Sequence, residues 1–148
     1  VPGPFRRIGV CIDDSDAARL ALGTARSLAG PDAALTLLHV VEPPSLLVEL
    51  AVSVGGGVPP DTEAPLAAAE AWLDSLREGG EEAVVLSGGP VDQVVRWAEE
   101  SGCDLLVTAT RRDHVRRSLL GSFTQRLTAG APCSTLLVHP PRPADAAG

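Results

Sequence analysis

The 148-residue chain contains no lysine, so all 12 of its basic residues are arginine. A phosphate-loop lysine, a Schiff-base lysine and a lysine nucleophile are thereby excluded. Asparagine is also absent, which leaves no acceptor for N-linked glycosylation. A spanning helix needs an apolar run of roughly 18 residues or more. The longest candidate, Leu46 to Val54, is far shorter and is cut by Glu49. No long apolar core follows the N-terminal charges, so no secretory signal is expected. Catalytic signatures are missing as well. Ser87 precedes glycines but lacks the first glycine of a G-x-S-x-G elbow, and neither an H-E-x-x-H helix nor an EF-hand loop occurs. The cysteines Cys11, Cys103 and Cys133 are few, odd in number and far apart. They form no C-x-x-C pair and no zinc spacing, and are expected as buried, reduced thiols of a cytoplasmic protein. The formal net charge of −7 repels phosphate backbones and argues against nucleic-acid binding.

What is present has an ordinary globular balance, 45% hydrophobic and 21% charged, in a length that suits one domain over residues 1–148. Arg6 to Asp13 reads as a strand: Ile8, Val10 and Ile12 are β-branched, with small Gly9 and Cys11 between them. Asp13-Asp14-Ser15-Asp16 breaks it with helix-capping residues. A helix follows over Ala17 to Ala29, stopped by Gly30-Pro31. Ala34 to Val41 is a strand apolar on both faces, which suits a sheet covered on both sides. After an irregular stretch over 45–60, Asp61 to Glu78 is a second helix and Glu82 to Ser87 a third strand. Gly88-Gly89-Pro90 turns into a third helix that ends at Gly102. Asp104 to Thr110 is a fourth strand, followed by the basic loop Arg111 to Arg117. Gly121-Ser122 opens a fourth helix, Thr135 to Val138 is a fifth strand, and 141–148 is expected to be a frayed tail. The order β-α-β-α-β-α-β-α-β predicts an α/β fold: a single doubly wound, five-stranded parallel sheet with helices on both faces. Any ligand then belongs at the carboxyl ends of the strands, where the free N–H groups of the fourth helix suit an anion.

Several of these stretches resemble the universal stress protein family over about residues 6 to 140. The first strand running into Asp13, Asp14 and Ser15 resembles that family's strand-Asp-Gly-Ser opening. Leu38-His39-Val40-Val41-Glu42-Pro43 resembles its second strand and exit. Gly88-Gly89-Pro90, Asp104-Leu105-Leu106-Val107, Leu119-Leu120-Gly121-Ser122 and Ala131-Pro132-Cys133 follow in the family's order and spacing. The resemblance implies a sheet order of 3-2-1-4-5 and a homodimer joined along the fifth strand, Thr135, Leu136, Leu137 and Val138.

The ATP-binding branch of that family carries G-x-x-G-x9-G-S/T. Aligned on Gly121-Ser122, its first two glycines fall on Thr108 and Arg111. Glycine lets backbone approach ribose and phosphates closely, and a non-glycine residue held left-handed costs about 1–2 kcal/mol. Ordinary ATP binding is therefore expected to be lost. By resemblance, Asp13 and the backbone of Val40 would meet adenine, and Gly121, Ser122 and the amides of Phe123 and Thr124 would meet phosphates. Arg111, Arg112, Arg116 and Arg117 then supply charge in place of the glycine amides.

Structural roles stand beside these. Asp13 suits a helix cap as well as a ligand, the four arginines suit a solvated loop, and Ser122 is expected as an N-cap. His39 and His139 fall on strands two and five, roughly 14 Å apart in the implied order, too far to share an ion. Trp72 and Trp97 are packing residues on helices. No catalytic residue, metal or cofactor is firmly implied; ATP or AMP would bring Mg²⁺ only if it binds. The expected function is a cytoplasmic, dimeric regulatory module that acts through protein contacts, not an enzyme. The alternative is a nucleotide or anion sensor using the arginine loop.

Overall fold

The computed structural model describes residues 3–42, 50, 53–56, 63–110 and 122–140, except for the side chains of 63 and 64. The expectations for Arg111, Arg112, Arg116, Arg117 and Gly121, for most of 45–60 and for the 141–148 tail lie outside them. In chain order the elements are β1 (Arg7–Cys11), α1 (Asp16–Leu28), β2 (Ala34–Val41), α2 (Glu63–Ser75), β3 (Glu82–Ser87), α3 (Pro90–Ser101), β4 (Leu105–Ala109), α4 (Ser122–Gly130) and β5 (Ser134–Val138). The strands form one parallel sheet of order β3-β2-β1-β4-β5. The alternation and the implied order both hold.

Local chemistry accounts for the ends. Ser15 caps α1 by accepting the Ala18 N–H at 3.2 Å. The helix stops at Leu28, two residues before the expected glycine, because Ala29 is already extended at ψ 120. At the end of α2 the bonds tighten to i→i−3: Leu76 N to Leu73 O and Arg77 N to Asp74 O, both 3.1 Å. That shortens the helix expected to reach Glu78. On α3, Pro90 occupies the first turn and Gly102 ends the helix in the left-handed region at φ 69.

The pleat divides the apolar residues between two cores. Ile8, Val10, Ile12 and Val107 face α1 and α2, meeting Ala21, Leu22 and Leu73. Leu38 and Leu106 face α3 and α4, meeting Val94, Ala98 and Leu127. Each fully buried leucine contributes about 1.5–3 kcal/mol relative to exposure. Register locks the two faces together: Ile8 lies between Leu35 and Leu105, and Val10 between Leu37 and Val107. A one-residue slip would exchange the faces. Polar ties add to this. Asp104 accepts the N–H groups of Arg6 and Arg7 at 2.8 and 2.9 Å. Arg26 on α1 grips Glu81 with two bonds of 2.9 and 2.8 Å and the Leu76 carbonyl with a third.

Candidate functional site

Because β1 is central, its carboxyl end is flanked by those of β2 and β4. Counting on from Cys11 opposite Leu38, Asp13 lies level with Val40; counting on from Val10 opposite Val107, it lies level with Thr110. One more ladder bond, Ile12 N to Leu38 O at 2.7 Å, carries β1 toward that edge.

Asp13 is half-buried, and its Oδ1 accepts the Ser15 N–H at 2.9 Å and also the Ser15 hydroxyl. The cap is therefore Ser15, and Asp13 orients it. Beside them His39 Nδ1 bonds the Ile12 carbonyl at 2.7 Å. A carbonyl only accepts, so Nδ1 carries the proton. The ring stands edge-on to Trp72, centroids 5.0 Å apart. His39 thus fastens the exits of β1 and β2 together.

Thr108 pairs with Leu137 in β4 and is 4% exposed. Strand alternation puts its side chain on the Leu106 face. No non-glycine residue among those described has positive φ, so Thr108 sits in ordinary strand geometry without left-handed strain. Val40 and Phe123 both pack against the second core, which brings the β2 exit and the start of α4 to one face. Ser122 is exposed at the start of α4. Thr124 is buried.

Sequence reasoning placed Thr110 at the carboxyl end of the fourth strand without giving it a role of its own, and it is buried there. Its N–H bonds the Val138 carbonyl at 3.0 Å and its hydroxyl pairs with His139 Nδ1 at 3.1 Å. Its only sequence signal is its place at the end of a strand. His39 lies on β2 and His139 just past the end of β5, strands that the sheet order separates. Among the described residues, no cluster of three His, Cys, Asp or Glu is arranged to hold a metal, and no helix is long and apolar enough to cross a membrane. The expectation of three buried cysteines is corrected. Cys103 is buried, but Cys11 and Cys133 are half-buried, because each sits at a margin of the second core.

Comparison with known proteins finds relatives of this fold. A "Universal stress protein" from Methanothermobacter thermautotrophicus is 39% identical over 57 residues, covering 38% of this chain and 39% of that protein. A solved universal stress family protein from Burkholderia pseudomallei aligns with TM-score 0.56 and 26% identity, covering 93% of this chain and 98% of the other. One from Arabidopsis thaliana, solved with AMP bound, aligns with TM-score 0.59 and 17% identity over 97% and 95% of the two chains. The sequence model of the Universal stress protein family matches residues 4–139. With the parallel order β3-β2-β1-β4-β5 already in place, the chain belongs to the universal stress protein family.

Proposed function

We propose that this chain is a dimeric regulatory module in which ordinary ATP binding is lost. The observation that supports this reading is Thr108, buried at 4% exposure near the carboxyl end of β4. The ATP-binding pattern has a glycine at that position. A branched side chain takes space that glycine would leave to a ligand. The residues present therefore fit the usual sugar-triphosphate poorly. Dimerisation is supported by β5. It pairs only with β4 among the described residues, and its outer edge invites a strand. A two-fold antiparallel match through Thr135, Leu136, Leu137 and Val138 would close it.

A second reading is favoured by the AMP in the Arabidopsis relative and by the exposed Ser122 at the start of α4. In it Asp13 and Val40 hold a base, Gly121, Ser122, Phe123 and Thr124 hold phosphate, and Arg111 adds charge. Mg²⁺ would accompany the nucleotide.

Calorimetric titration with ATP and with AMP, each with and without Mg²⁺, separates the two. The first reading expects no heat at millimolar nucleotide, and binding gained by the paired substitution Thr108→Gly and Arg111→Gly. Heat in the unmodified protein that disappears in Arg111→Ala would establish the second. Phosphate release above buffer would overturn the non-enzymatic reading.

A further inference from the structure

We propose that Cys103 and Cys133 form a thiol pair that a peroxide oxidises to an intramolecular disulfide. Helix α4 separates them in sequence, and strand pairing removes that separation. Leu105 lies level with Ser134, so the residues just ahead of β4 and β5 are neighbours at the amino edge of the sheet. Cys103 belongs to the second core and Cys133 packs against it, so the two side chains turn to the same face of the sheet. Cysteines at the starts of adjacent strands and on one face need little backbone movement to bring their sulfurs together.

The Cys103 side is rigid. Its N–H bonds the Ala98 carbonyl at 3.0 Å just past the left-handed Gly102, and its Sγ donates to the Leu105 carbonyl at 3.1 Å. Cys103 is 7% exposed, whereas Cys133 is half-buried, so the oxidant meets Cys133 first. Peroxide converts that thiol to a sulfenic acid and one water leaves. The Cys103 sulfur then attacks the sulfenic sulfur, and its proton departs with the hydroxyl as a second water. Two thiols lose two electrons and two protons, and the peroxide becomes two waters.

Burial sets the pace. It pushes the Cys103 thiol up to about 12 and raises Cys133 as well. Both stay protonated at neutral pH, and the thiolate is the nucleophile. Oxidation is therefore slow, accelerates with pH and answers sustained oxidant, unlike that of an exposed, low-pKa sensor thiol. Cys11 is the competing partner. It lies one side-chain repeat beyond Gly9 on β1, about 7 Å further along the same face, and burial pushes it to about 12 too.

The test uses the full chain in millimolar hydrogen peroxide for several hours, at neutral and mildly alkaline pH. It reads free thiols, intact mass and non-reducing peptide maps. The expected result is a fall from three thiols to one, loss of two hydrogens and a Cys103–Cys133 peptide. Dithiothreitol reverses the change, alkali speeds it, and Cys11→Ser leaves it intact. Three surviving thiols, added oxygen in place of lost hydrogen, or a bridge through Cys11 or between chains would each overturn the proposal. Because the unmodified protein carries the mapping, the conclusion does not depend on any variant folding.

Discussion

Trp97 of α3 lies directly against Gly9 of β1: a Cβ built on Gly9 would stand 2.6 Å from Trp97 Cζ3 and 3.1 Å from both Leu106 Cδ2 and Leu38 Cδ1. The central strand is bare there so that an indole can cross it. This contact sets how closely the α3 layer approaches the sheet.

Gly9→Ala is accordingly expected to destabilise the fold by about 1–3 kcal/mol, the usual cost of overpacking a core. Urea denaturation measures it. Adding Trp97→Leu should recover part of the loss. A single-variant change within about 0.5 kcal/mol, the range of neutral surface substitutions, would contradict the contact.

The Arg26 guanidinium, through its hydrogen bonds above all, holds the Glu81 carboxyl below its ordinary range. A lowered folded pKa means that the pair stabilises fully above the unfolded carboxylate value of about 4.3 and that this contribution fades as pH falls through the folded value. The two side chains are 26% and 13% exposed, so solvent screens the pair only in part. Glu81→Gln should cost about 1–3 kcal/mol at neutral pH. The gap between variant and parent should close in acid, as read from denaturation midpoints across pH.

Asp13 can be tested as a buttress and as a ligand separately. Removing its carboxylate in Asp13→Ala frees Ser15, and the loss should approach that of a helix cap, about 1 kcal/mol. Asp13→Asn keeps an oxygen that accepts the Ser15 N–H and should restore most of that stability. Thermal melts measure both. A nucleotide role would show as altered binding in the asparagine variant despite its recovered stability.

Leu137→Asp places a charge in the middle of the β5 edge, and light scattering is expected to report a monomer for the variant and a dimer for the parent. An unchanged mass rejects pairing through β5.

Much of the fold was readable locally. Ala34–Val41 and Glu82–Ser87 have the bounds that their apolar runs predict. Pro90 and Gly102 stand where helix starts and stops place them. β1 ends at Cys11 and not at Asp13, because the Asp13 carboxylate folds back on Ser15, a bond that apolar alternation does not register. The site was readable as an edge but not in its detail. Asp13, Val40 and Thr108 were placed at strand ends by order alone, and the strain expected from replacing glycine does not arise at Thr108, which stays in strand geometry.

The sequence by itself determined the alternation of strands and helices, the capping residues and the amphipathic faces, since all of these depend on neighbours a few positions away. Only the tertiary structure decided that Gly9 meets Trp97, that Arg26 meets Glu81 and that Cys103 and Cys133 pack at the same core. Those contacts join segments tens of residues apart. They exist because parallel register and two-sided packing fix distances that no local pattern encodes.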